Sequence, residues 1–144
     1  AYLFRTETDI ERVLKANGRL RLCKGAYKEP PEKAHQKMSL IVQSYKAYIE
    51  KLLLVGKRVC IATHDDAIIE FCMEYITANN IPKDRFEFQM LYGMREKTWE
   101  KIVSKGYNMT VYVPYGSDWQ AYYARRLTER KENVFFVLKN LFKS

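Results

Sequence analysis

Arg125 and Arg126 stand side by side, with Tyr122 three and four residues before them and Glu129 three and four residues after. On a helix these spacings bring side chains to neighbouring places on one face. Two guanidinium forks can grip a carboxylate or a phosphate bidentately, and a carboxylate one turn away can hold either fork in place. The same residues also suit a salt-bridged, solvated helix face, and spacing alone leaves both readings open. A second set lies directly after four apolar runs: Lys24-Gly25-Ala26-Tyr27, Thr63-His64-Asp65, Leu91-Tyr92-Gly93 and Pro114-Tyr115-Gly116. Polar groups and glycine at such strand ends are where a βα barrel carries its ligand. Gly25 permits a sharp turn or a close backbone approach, although an ordinary strand-to-loop glycine does no more than that. His64 has no serine or cysteine nucleophile motif beside it, which gives a hydrolase triad little support. His35, Asp65 and Asp66 lack a metal-ligand spacing, so no metal is expected.

Other chemistries find less in the sequence. Cys23, Cys60 and Cys72 are odd in number and lack CxxC spacing, which argues against zinc and disulfide scaffolds. Cys23 and Cys60 lie within apolar runs and are expected to act as small core residues, in a reducing compartment. No GxGxxG and no GxxxxGK[ST] is present, so neither nucleotide fingerprint applies.

The rest of the chain must position these residues. It has 144 residues, 47% of them hydrophobic and 29% charged, a globular composition of one-domain length. The net charge of +8 raises the question of polyanion binding, but the charges interleave, as in Arg95-Glu96-Lys97. A solvated surface is expected, and no nucleic-acid partner. No run approaches the roughly 18 apolar residues of a membrane span, and no signal-peptide pattern opens the chain. The first residues, Ala1-Tyr2-Leu3-Phe4, read as the end of a buried strand in a longer protein.

Apolar runs at Leu20–Cys23, 58–62, Phe86–Leu91 and 109–113 predict four strands. Helical spacing predicts a first helix capped by Thr8, carrying Ile10, Val13 and Leu14 and ending at Asn17-Gly18. Further helices are predicted over 39–54, 65–79 and 95–105, with Gly106 just past the last. A fifth begins near Ser117-Asp118, reaches Leu127 and continues over 134–142. Strands apolar on both faces, each followed by a helix, describe parallel βα units with a sheet covered by helices. A complete (βα)8 barrel takes around 250 residues. The chain therefore suits either a small open α/β sheet or half of a barrel.

Five segments together resemble the proline dehydrogenase family. They are residues 21–27 (RLCKGAY), Ala62-Thr63-His64-Asp65, residues 86–94 (FEFQMLYGM), residues 112–116 (YVPYG), and the stretch from Tyr122 through Arg125, Arg126 and Glu129 to Asn133. They occur in the family's order across nearly the whole chain. The resemblance implies a (βα)8 barrel of the TIM type, of which residues 1–144 form the C-terminal half, from a strand-four remnant at Ala1-Tyr2-Leu3 through helix eight. It implies FAD at the C-terminal face, oxidation of L-proline to Δ1-pyrroline-5-carboxylate, and electron transfer to a quinone at a membrane surface. It places the protein in the cytoplasm or peripherally on the inner membrane.

Residue by residue, the resemblance assigns Arg21 to hydrogen bonding near flavin N5, Cys23 to the isoalloxazine flank and Gly25 to its close approach. Thr63, His64 and Asp65 correspond to the strand-six group along the cofactor, and Glu129 and Phe136 to positions near FAD. Tyr27, Leu91, Tyr112 and Tyr122 correspond to the substrate pocket wall, with Arg125 and Arg126 gripping the proline carboxylate. Met38 replaces a lysine that often contacts the FAD phosphates, which leaves Lys37 as the nearest substitute. The family lysine and aspartate of the first half are absent, so the chain alone is expected to be inactive. Its partner would be the missing N-terminal half or a self-associated copy. Two other readings are a cofactor-binding fragment without turnover and a basic nucleic-acid-binding α/β domain.

Overall fold

Leu20–Cys23, Val59–Ala62, Phe86–Leu91 and Met109–Tyr112 form strands β1 to β4 in a computed structural model that describes residues 1–25, 27 and 29–117. The strands pair in sequence order, β1-β2-β3-β4, and every pairing is parallel. Parallel neighbours need a crossover, and the helices supply it. Helix α1 spans Thr6–Lys15, α2 Met38–Val55, α3 Asp66–Ala78 and α4 Glu96–Ser104. The helix expected from Ser117-Asp118 onward lies outside the described residues.

Register explains the core. Leu22, Ile61, Phe88 and Met109 lie side by side across the four strands. Because side chains alternate along a strand, Val59, Phe86 and Met90 join them on one face. Against that face pack Tyr45, Ile49, Leu52 and Leu53 of α2, Ile68, Ile69, Cys72, Met73 and Ile76 of α3, and Ile102 of α4. Helix α1 adds Ile10 to the same cluster. Tyr45 is fully buried, and its hydroxyl donates to the Leu22 carbonyl at 3.1 Å, tying α2 to β1. A buried hydroxyl without such a partner would be costly.

The opposite face is polar, contrary to the expectation of strands apolar on both sides. Arg21, Cys60 and Glu87 form one row across β1 to β3, and Cys23, Ala62, Gln89 and Thr110 form the next. Cys23 and Cys60 are therefore half-buried on this face rather than core residues, and Cys72 is the buried cysteine. Burial pushes the Cys72 thiol up to about 12, so it acts as a small apolar group.

Helix ends follow local chemistry with one shift. Helix α1 begins at Thr6, with Arg5 at the cap position, so Thr8 lies inside the helix rather than capping it. Arg5 Nε donates to Asp9 Oδ2 one turn on at 2.7 Å, an exposed ion pair along the first turn, and no side chain caps the start of α1. The C-terminus of α2 has no basic residue in its last turn. Arg85, just before β3, supplies the charge instead by donating to the carbonyls of Leu54 and Gly56. Ala1–Leu3 is not a strand of the sheet: Leu3 makes a single antiparallel bridge to Ala34. The Ala1 amine nevertheless donates to the Cys23 carbonyl at 2.6 Å, which places the start of the chain beside the end of β1.

Candidate functional site at the strand ends

Parallel pairing sends β1 to β4 out on the same side of the sheet, so the loops that follow them converge there. Between β2 and α3, Thr63, His64 and Asp65 form a tightly bonded turn. The Asp65 amide donates to Thr63 Oγ1 at 3.1 Å, and Thr63 is buried. Asp65 Oδ1 accepts from the amides of Ala67 and Ile68, capping α3. Asp65 Oδ2 pairs with Lys24 Nζ at 2.9 Å, which joins the ends of β1 and β2. Burial opposes ionisation of Asp65, but the hydrogen bond and charge of Lys24 and the two helix amides outweigh it and hold its carboxyl below the usual range.

His64 Nε2 accepts from the Leu91 amide at 3.0 Å, fastening the β2 end to the β3 end. With Nε2 as acceptor, the neutral ring carries its proton on Nδ1. Burial first, then the positive charges of Arg95, Lys24 and Arg21, lower its pKa to about 4. Arg95, in a left-handed conformation at the start of α4, pairs with Asp66.

On the polar face, Arg21 Nε donates to Gln89 Oε1 at 2.7 Å and Nη1 to Cys23 Sγ at 2.8 Å. Gln89 Nε2 donates in turn to Glu87 Oε1 at 2.6 Å, and Glu87 Oε2 pairs with Arg58 at 2.7 Å. Arg58, Glu87 and Gln89 were absent from the expected site, and so was Arg95. The alternation in FEFQML was the available signal: Phe86, Phe88 and Met90 are buried, so Glu87, Gln89 and Leu91 must face the other way.

The structure thus joins Arg21 to Cys23, Lys24 to Asp65, and His64 to Leu91, and register sets Leu91 beside Tyr112 at the ends of β3 and β4. Tyr27 and Tyr112 are exposed at this end of the sheet. Lys37, just before α2, has no hydrogen bond or ion pair to the set among the described residues. Tyr122, Arg125, Arg126, Glu129 and Phe136 lie outside the described residues. Gly25 has a reason of its own. Its φ is +107°, and a Cβ there would overlap the Tyr2 ring, so glycine permits a close approach of Tyr2. A cleft of about 270 Å³ runs along β1 beside α1, lined by Ala1, Tyr2, Ile10, Arg21, Cys23 and Gly25 among others.

A guanidinium donor beside a neutral imidazole suits an anionic or electron-rich planar ligand. Among the described residues Arg21 Nη2 has no hydrogen-bond partner, which leaves one donor edge for such a ligand. Among them, too, no group of three or more His, Cys, Asp or Glu is placed to hold a metal ion.

A protein-family model described as "Proline dehydrogenase" matches residues 1–139. The chain is 49% identical over 143 residues to "Proline dehydrogenase 2" of Bacillus subtilis (strain 168), covering 99% of this chain and 47% of that protein. It is 37% identical to "Proline dehydrogenase" of Deinococcus radiodurans, covering 99% of this chain and 46% of that one. The chain spans about half the length of these curated relatives. Among solved structures, proline utilization A (PutA) from Bdellovibrio bacteriovorus, inactivated by N-propargylglycine, superposes with a TM-score of 0.79 at 31% identity. That match covers 88% of this chain and 15% of the other.

Proposed function

The chain belongs to the proline dehydrogenase family, and from that premise we propose that it forms the C-terminal half of a flavin-dependent barrel that oxidises L-proline to Δ1-pyrroline-5-carboxylate. Its four parallel strands, linked by α2, α3 and α4, match part of a (βα)8 barrel. The observation that supports the reading is the convergence toward the strand ends: Arg21 of β1 is bonded to Gln89 of β3, and His64, just after β2, accepts from Leu91 at the end of β3, on the side where such barrels do their chemistry.

FAD fits the donor set of this face, and it supplies the two-electron acceptor for hydride from the carbon next to the proline nitrogen. Arg21 presents a fixed positive edge to the flavin and favours negative charge on it. His64, neutral near pH 7, braces β2 against β3 and exchanges no proton there. Lys24 is committed to Asp65 and shapes the turn beside the cofactor. With FAD bound, Lys37 would support the phosphates, Glu129 and Phe136 would contribute to the cofactor site, and Tyr27, Leu91, Tyr112 and Tyr122 would wall the proline ring. Arg125 and Arg126 hold the carboxylate, which fixes the reacting carbon. Electrons pass to a quinone at a membrane surface. Among the described residues no helix is long and apolar enough to cross a membrane.

A second reading, a cofactor-binding fragment without turnover, draws on the open sheet. β1 and β4 are both edges, and unpaired edges invite association. The chain alone is therefore expected to oxidise proline little or not at all, and to gain activity when the remaining half of the barrel is supplied. A dye-coupled assay of the chain with and without that half checks this, and robust turnover by a monodisperse monomer would refute it. In the complete barrel, Arg125→Met or Arg126→Met should each weaken binding of a proline-like carboxylate inhibitor about 10- to 100-fold, the worth of a charge-assisted bidentate contact. FAD content should change far less. Lysine at either position should rescue poorly, since an ammonium lacks the planar fork. Unchanged inhibitor affinity in both variants would reduce the pair to a salt-bridged helix face.

A further inference from the structure

Glu87 and Gln89 have no role in the site set out above, yet they tie its cation into a single chain of hydrogen bonds. Glu87 is mostly buried and accepts from three donors: Arg58 at 2.7 Å, Gln89 Nε2 at 2.6 Å and the Cys60 thiol at 3.5 Å. Burial opposes its ionisation, and the hydrogen bonds from Gln89, Arg58 and Cys60 outweigh that and hold its carboxyl below the ordinary range. It is therefore a carboxylate near pH 7 and can only accept.

That charge sets the direction of the Gln89 amide. The NH2 group must face the carboxylate, which turns Gln89 Oε1 toward Arg21 Nε at 2.7 Å. A flipped amide would set its oxygen against the carboxylate and its NH2 against the Arg21 N–H, two repulsive contacts in place of two bonds. Arg21 Nη1 is taken by Cys23 Sγ. The guanidinium is thus held at two of its three nitrogens, and Nη2 is the edge that remains.

We propose that Glu87 is a positioning residue for Arg21, acting through the Gln89 amide, so that the guanidinium presents its Nη2 edge to the ligand over the polar face. The proposal rests on the flavin reading for the identity of that ligand, but the positioning itself does not. Arg58 separates this role from plain sheet stabilisation. It shares the ion pair with Glu87, but Arg58→Met leaves the Glu87–Gln89–Arg21 chain intact, whereas Glu87→Gln frees the amide to flip and Gln89→Leu removes the link.

The test has two arms. In the first, the Arg21 Nε–H resonance is followed by 15N NMR and assigned by its loss in Arg21→Lys. Solvent exchange of this proton should quicken about tenfold or more in Glu87→Gln and Gln89→Leu, because an unbonded guanidinium N–H is open to water, and should stay near the parent rate in Arg58→Met. In the second, with the complete barrel loaded with FAD, flavin reduction by proline should slow about 10- to 100-fold in the first two variants, since misplacing a positioning group costs rate. The KM for proline should move less than about twofold, the mark of an interaction made mainly in the transition state. A parent protein that holds no FAD would overturn the flavin reading, and the exchange rates would then decide the positioning. An Arg21 Nε–H equally protected in the parent and in Glu87→Gln would overturn the proposal, as would equal effects of Arg58→Met and Glu87→Gln.

Discussion

Gly25→Ala should destabilise the protein by about 2 to 5 kcal/mol, from left-handed backbone strain together with overpacking. At φ +107° an L side chain is strained whatever the space. Here the space is also taken, because the new Cβ would overlap the Tyr2 ring. Tyr2 cannot yield cheaply, since its carbonyl accepts from the His35 amide at 2.9 Å, and its neighbour Leu3 bridges to Ala34. The ring is also buried in a cluster with Ala34 and Ile41, so moving it disturbs that packing. Urea unfolding of the parent, Gly25→Ala and the Gly25→Ala/Tyr2→Ala pair checks this. The pair should lose less than the sum of its two single variants, because removing the ring relieves the overlap and leaves only the backbone strain. Strict additivity would show that the Tyr2 contact is not what requires glycine.

Lowering the pH should weaken the fold through His64. An imidazole harder to protonate in the folded protein than in the unfolded chain contributes stability that is fully present above the unfolded value of 6.5. That stability is lost as pH falls toward the folded value of about 4. The loss on passing through this window is on the order of 3 kcal/mol. Protonation would also turn Nε2 from acceptor to donor and break its bond with the Leu91 amide. The fold should therefore be about equally stable at pH 8 and pH 7 with respect to this group, and markedly weaker at pH 4.5. His64→Gln offers an amide oxygen that accepts without titrating, so it should flatten the profile between 6.5 and 4 even if it costs some stability at pH 7. An unchanged slope in that variant would place the acid sensitivity elsewhere.

Much of this arrangement was legible in the residues. β1 and β3 have the bounds expected from their apolar runs, and Gly106 closes α4 in a left-handed conformation as its place after the helix implied. Asp65 sits at the head of α3, as its position just ahead of an apolar helical pattern indicated. What was not legible depended on pairs far apart in sequence. Cys23 and Cys60 lie in four-residue strands, too short for alternation to declare a face, and only register with Glu87 and Gln89 shows that they face the polar side. The contact of Gly25 with the Tyr2 ring was not legible, because the two residues lie 23 positions apart. The partner of His64 was not legible either, because the Leu91 amide that it accepts from lies 27 residues away. Thr8 lies within the first turn instead of capping it, because α1 starts at Thr6 with Arg5 in the cap position, three residues ahead of the expected cap.

On the function proposed, this polar sheet face holds a flavin that proline reduces. The most direct measurement of this is the visible absorption spectrum of the chain assembled with the other half of its barrel, recorded anaerobically with FAD before and after L-proline. The account predicts a bound-flavin band that stays with the protein through gel filtration and bleaches on addition of L-proline. A protein that elutes without flavin, or whose bound flavin keeps its band in saturating L-proline, would contradict it.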